Sequence, residues 1–151
     1  MLLQTTRFGV IDADADRLIR FKDGLLGFPQ HKRFALVQTS TEAVFYWLQS
    51  VDDPALAFVV CDPAAFVADY QVPIRPDDMQ TLDISDLGDS QLFVIVNKVD
   101  DQLTANLLGP LLVGGRSLLG RQLVLSDKRY TTRHRLMPAP MATGACVAKT
   151  A

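Results

Sequence analysis

Residues 45–62 read FYWLQSVDDPALAFVVCD. Two nearly unbroken apolar runs flank a tip that carries adjacent aspartates and a proline. Asp53-Pro54-Ala55-Leu56 has the residues of a type I turn, with aspartate first and a proline that presets φ at the second position. The stretch therefore reads as a β-hairpin, Phe45–Val51 folding back on Leu56–Cys61. A strand that only roofs a core alternates apolar with polar residues; this hairpin does so weakly. Phe45, Trp47 and Val51 fall on one face of the first strand and Tyr46 and Leu48 on the other. In the second, Leu56, Phe58 and Val60 oppose Ala57, Val59 and Cys61. One set faces a core and the other needs a cover of its own. A short helix or the DPAAFV segment after the hairpin would cover it, and so would a protein partner seated on an exposed apolar patch.

Outward from the hairpin, strand-like runs recur at Leu3–Ile11, Leu18–Phe21, Phe34–Gln38, Tyr70–Ile74, Leu92–Val99, Leu103–Leu108 and Gln122–Leu125. Turn sequences such as KDG, VDDQ and GG separate them. Many short strands with frequent turn signals predict a mainly β fold, a small antiparallel barrel-like single domain. One short helix is expected at Asp77–Ile84, where aspartates at the start suit the helix dipole. The chain has 151 residues, of which 48% are hydrophobic and 21% charged, an ordinary balance for one globular domain. No apolar stretch is long enough to span a bilayer. The start, MLLQTTRFGVID, has neither the basic nor the apolar region of a secretory signal. Cys61 and Cys146 make a poor disulfide framework, so a reducing, cytoplasmic setting is expected.

The net charge of −2 hides an uneven distribution. Between Thr41 and Asp101, twelve acidic residues face Arg75 and Lys98 alone, whereas the chain beyond Leu111 is net basic. Nearly all the acids are aspartate, with Glu42 the sole glutamate. Aspartate favours turns and caps because its short carboxylate reaches nearby backbone N–H groups. Paired aspartates at Asp52–Asp53 and Asp100–Asp101 sit at expected hairpin tips, so their carboxylates are expected to project into solvent. With Tyr46 they are the candidate partner-binding residues.

Motifs for catalysis are scarce. Asp12, Asp14, Asp16 and Asp23 imitate positions of a calcium loop, but Arg17 stands where glycine is required and Asp23 where the bidentate glutamate belongs. No metal site is expected. Cys61 has no base brought to it by the sequence, and a cysteine within FVVCDP reads as a small buried hydrophobe. No phosphate-binding loop, dinucleotide fingerprint, zinc spacing or nucleophile elbow is present. The basic stretch KRYTTRHR, Lys128–Arg135, could contact a phosphate-bearing group or nucleic acid; docking onto the acidic body is the simpler reading. No catalytic residue and no cofactor are expected. The alternative is a small split-barrel enzyme binding flavin or another phosphate ligand through Arg133 or Arg135, which a yellow purified protein would reveal.

At this point the residues carry a resemblance. The hairpin block FYWLQSVDDPALAFVVCDP, GLLGF at Gly24–Phe28, NLLGP at Asn106–Pro110 and YTTRH at Tyr130–His134 resemble, in order, the flagellar assembly factor FliW family. The likeness runs from about Phe8 to Leu136. The family usually has proline at the position of Leu26, an acidic residue at Pro29 and alanine at Gly109. The resemblance implies a small β-barrel-like protein without catalytic activity that binds flagellin and the RNA-binding translational regulator CsrA. Binding CsrA would relieve its repression of flagellin translation, by an allosteric route rather than by occupying its RNA site. A basic RNA-binding partner suits an acidic protein, since opposite fields speed encounter while desolvated apolar anchors hold the complex. No direct nucleic-acid binding and no membrane contact are implied, and a monomer is the expected free state.

The chain divides at Leu136. Residues 1–136 form the expected barrel domain, and 137–151, MPAPMATGACVAKTA, lack the large apolar side chains that offset the entropy of ordering. This tail is expected to be flexible. Truncation after Leu136 is expected to leave the melting temperature within a few degrees of the full chain, as read by thermal unfolding. Loss of the cooperative transition would make the tail structural.

Overall fold

The structure, a computed structural model, describes residues 1–38 and 44–136, so the tail beyond Leu136 lies outside the described residues. Among the described residues, eleven strands and one α-helix follow in order: β1 (Leu2–Thr5), β2 (Gly9–Asp12), β3 (Ile19–Phe21), β4 (Arg33–Val37), β5 (Phe45–Ser50), β6 (Ala57–Cys61), α1 (Pro76–Thr81), β7 (Ser90–Val99), β8 (Gln102–Ala105), β9 (Leu111–Gly114), β10 (Leu119–Gln122) and β11 (His134–Arg135). The expected hairpin is β5–β6, in register Tyr46↔Val60 and Leu48↔Phe58. Its turn forms as read, with the Leu56 N–H donating to the Asp53 carbonyl at 3.1 Å.

Seven strands close on themselves in the order β7-β6-β5-β4-β3-β10-β9, with β9 returning to β7. Six of the seven contacts are antiparallel, and the seventh, β3 with β10, is parallel. β7 spans ten residues because it serves two neighbours on one edge, β9 over Ser90–Phe93 and β8 over Val96–Val99. The five residues NLLGP lie between those neighbours, and β11 then adds to β8. β1 and β2 form a separate hairpin.

Alternation selects what fills the barrel. Ile19, Phe21, Phe34, Leu48, Val60, Phe93, Leu111 and Val113 are buried inside it, with Tyr46, Phe58 and Ile95 packed beside them. Each large side chain buried this way contributes about 1.5–3 kcal/mol. The intervening residues point outward and form two further apolar layers. Cys61, Val94, Val96 and Ala105 are covered by Phe66, Val67, Tyr70, Tyr130 and Leu136, so the DPAAFV segment does cover much of the hairpin's second face. Phe45 stacks on Phe66 at 5.7 Å. Trp47, also outward, lies under the β1–β2 turn, with the Arg7 guanidinium 4.2 Å from its ring centre and Phe8 edge-on at 5.7 Å. The third layer packs Leu82, Ile84, Val72 and Ile74 against Leu112 and Leu123.

Several elements differ from the sequence reading. The run Leu3–Ile11 is two strands, because Thr5 Oγ1 accepts from the Phe8 N–H and donates to the Gly9 carbonyl, making a turn that Gly9 closes at φ 72°. Tyr70–Ile74 forms no ladder and instead supplies apolar cover. β9 was not among the expected runs: its four residues are all buried, so it shows no alternation. β10 precedes the expected Gln122–Leu125. The helix begins one residue earlier than expected and stops at Thr81, where the chain turns through Asp83 at φ 54°.

Closure depends on one small residue. Gly120 is the register partner of Phe21, and a Cβ there would approach the Phe21 ring to 2.6 Å. Gly120→Val is expected to cost about 1–3 kcal/mol by overpacking, read as a lower denaturant midpoint at unchanged slope. A midpoint equal to that of the wild type would show that Phe21 can move aside freely.

Candidate functional site

Strand direction gathers the distinctive loops at one end of the barrel. β3, β5, β7 and β10 run toward this rim, and β4, β6 and β9 run away from it. The β3–β4 turn with GLLGF, the β5–β6 tip, the β7–β8 tip and NLLGP therefore all lie there. Within GLLGF, Leu25 and Phe28 exchange two backbone hydrogen bonds of 3.2 and 2.7 Å around Leu26 and Gly27. Gly27 has φ 85°, the left-handed position of a type II turn, and Leu26 takes the preceding position, 60% exposed.

Gln122 joins two of the loops. Its Oε1 accepts from the Leu26 N–H at 2.7 Å and its Nε2 donates to the Gly109 carbonyl at 2.9 Å. NLLGP is also held from within, since Asn106 Oδ1 accepts from the N–H groups of Leu108 and Gly109, each at 3.1 Å. The basic stretch docks beside it. Tyr130 meets Tyr70 edge-on at 4.9 Å, and the Leu107 N–H donates to the Thr131 carbonyl at 3.0 Å. Burial, then the neighbouring Tyr130, push the Tyr70 phenol above its ordinary range, so it stays protonated and donates to the Leu107 carbonyl. Arg129 forks onto Asp127, which holds that carboxyl below the usual range, and Arg135 Nε donates to Gln102 at 2.7 Å.

The candidate partner-binding residues separate into two groups. Asp52, Asp53, Asp100 and Asp101 are all brought to the rim. Tyr46 is not with them: its ring packs inside the barrel, edge-on to Phe93 at 6.0 Å. The aspartates also differ in freedom. Asp53 Oδ1 accepts from the Ala55 N–H at 3.0 Å, and Asp52 pairs with Arg33 Nη2 at 2.8 Å. Ser50 Oγ accepts from the N–H groups of both, at 3.2 and 3.1 Å. Asp100 and Asp101 are exposed, at φ 50° and 66°, the backbone of a two-residue type I′ hairpin. Lys98 approaches Asp101 only to 3.8 Å.

Asp12, Asp14 and Cys61 are engaged in structure. Asp14 accepts from the Asp16 N–H at 2.9 Å and Asp12 takes the Met1 amino group at 3.1 Å. Among the described residues, no group of three or more His, Cys, Asp or Glu converges as a metal site would. Cys61 is fully buried in the outer apolar layer, and that burial, with Asp62 adding to it, pushes its thiol up to about 12. A rim feature that the sequence reading missed is basic: Arg20, Lys22, Lys32 and Arg33 surround one shallow concavity with Gln30 and Asp52. The alternation Ile19-Arg20-Phe21-Lys22, buried then exposed, was the available signal.

A closed barrel with loops locked together at one rim defines a small scaffold protein that presents a surface. A model of the FliW protein family matches residues 2–136. The flagellar assembly factor FliW of Heliobacterium modesticaldum is 39% identical over 147 residues, covering 96% of each chain. That of Geobacter sulfurreducens is 38% identical over 136 residues, covering 89% of this chain and 85% of its own. A crystal structure of the flagellar assembly factor FliW superposes with a TM-score of 0.83 at 33% identity, covering 91% of this chain and 98% of that one. The chain belongs to the FliW family.

Raised by burial, the Cys61 thiol stays protonated at pH 8. A Cys146→Ser variant is therefore expected to resist iodoacetamide at pH 8 until denaturant unfolds it, as followed by intact mass. Stoichiometric labelling of the native variant would contradict the buried placement.

Proposed function

We propose that this protein is a non-catalytic, cytoplasmic flagellar assembly factor. It binds flagellin and antagonises the translational regulator CsrA by protein–protein contact, so relieving repression of flagellin translation. Family membership across nearly the whole chain carries the reading. The rim gives it a physical basis. Solvated carboxylates at Asp100 and Asp101 speed the approach of a basic partner, and the exposed Leu26 supplies apolar area to desolvate on contact. Asp52 and Asp53 act at the same rim, but Asp53 also holds its own turn and Asp52 pairs with Arg33 on β4. The deeply buried Cys61 and the locally satisfied aspartates favour a binder over an enzyme. A pull-down from cell extract with the full chain as bait, probed for flagellin and for CsrA, tests the proposal; recovery of neither would sink it.

The β7–β8 tip allows steering to be tested apart from folding. Asp100→Asn with Asp101→Gly removes both charges and installs the residues that a type I′ turn prefers. Stability is expected to rise by about 0.5–1 kcal/mol, because glycine adopts positive φ without a Cβ penalty. Association with CsrA is expected to slow at low salt while dissociation changes little. The two readouts are a denaturation midpoint and stopped-flow kinetics at two ionic strengths. An unchanged on-rate would leave affinity to apolar contacts alone.

A further inference from the structure

The basic concavity beside the acidic tip has no role in the reading above. Arg20 and Arg33 are direct register partners across β3 and β4, both exposed on the outer face. Like charges placed opposite one another on a sheet destabilise it. Lys22 and Lys32 extend the same patch, in a hollow of about 620 Å³. Among the described residues, no carboxylate pairs with Arg20, Lys22 or Lys32. Arg33 alone has a partner, the carboxylate of Asp52 on the neighbouring hairpin, and its side chain remains 47% exposed. Residues 17–33 hold five arginines and lysines against Asp23. Positive charge is thus gathered across two neighbouring strands, at a cost to their own sheet.

We propose that this patch is a docking site for a carboxylate-rich segment of a protein partner. Asp52 already occupies its Arg33 corner with the group that such a segment would present, and charge-assisted bonds of this kind are the stronger ones. Two features favour a peptide over nucleic acid. None of the residues surrounding the concavity is aromatic, whereas single-stranded nucleic acid is held by stacking on such side chains. The acidic tips at the same rim would also repel an extended polyanion, while a short acidic segment fits within the patch.

The test uses the full chain and a fluorescein-labelled hexa-aspartate peptide, followed by anisotropy at two salt concentrations. Binding is expected, weakening as salt rises. Arg20→Ser with Lys32→Ser is expected to lower affinity at least tenfold and to raise the melting temperature, because it removes the cross-strand repulsion. Arg133→Ser, a basic residue outside the patch, is expected to change neither. Asp52→Asn is expected to tighten binding severalfold by vacating Arg33. The proposal is overturned if the peptide does not bind, if Arg133→Ser weakens it as much, or if an unstructured RNA hexamer binds more tightly than the peptide. The assay contains neither flagellin nor CsrA, so its failure and failure of the pull-down are separate results.

Discussion

Everything at the rim depends on the closure of the barrel, and closure rests on a short parallel contact. β3 and β10 share only two register pairs, Leu119↔Arg20 and Gly120↔Phe21. Two pairs supply few hydrogen bonds, so packing must carry the contact. The Phe21 ring lies over Gly120, edge-on to Phe34 at 5.7 Å, and is fully buried. The Arg20 N–H adds a bond of 2.9 Å to the Leu118 carbonyl just before β10. A closed sheet has no unpaired edge to recruit another chain. The same closure sets Gln122, at the end of β10, where it can hold Leu26 and Gly109 together. Two of the rim loops are therefore tied directly to the barrel seam beneath them.

Aspartate shapes the rest of the surface. Asp53, Asp62, Asp86 and Asp127 each accept from a backbone N–H two residues further on, at 2.9–3.0 Å. Asp78 reaches back to the Arg75 N–H at 3.0 Å and takes Arg121 at 3.4 Å, tying α1 to β10. These carboxylates order turns at modest net gain, because water competes for the same exposed groups. Within the negative sector Asp53, Asp62, Asp78 and Asp86 thus shape turns while keeping the charge that steers a partner. Asp100 and Asp101 are the freest of the candidates.

The hairpin was legible because its turn residues and its period-two faces agreed. The barrel class followed from many short strands, but its closure did not. β9 is LLVG, apolar on both faces because β7 and β10 flank it while the barrel interior and the α1 layer cover it; such a run carries no alternation to read. Tyr46 shows the complementary limit. Sequence parity placed it opposite Trp47 correctly, yet parity does not say which face is inside. Tyr46 was a candidate for partner contact, whereas Phe93 and the barrel interior take its ring. The basic patch escaped notice because its residues come from two strands and the connection between them, and charge summed along the chain dilutes it.

Opposite charges at one rim share a bond, and that bond limits how two partners can influence each other. Arg33 belongs to the basic patch and Asp52 to the acidic tip, 2.8 Å apart. An acidic ligand that takes Arg33 Nη2 displaces Asp52, and a basic ligand that takes Asp52 Oδ1 displaces Arg33. Whichever arrives first breaks the pair, and the second then binds without that cost. The coupling is positive and equal in both directions, as linkage requires. Both side chains are more than 40% exposed, so the pair is worth at most about 1 kcal/mol. One partner can therefore raise the affinity of the other by no more than about fivefold through this contact. Any larger effect between partners at this rim would need a second element with two arrangements.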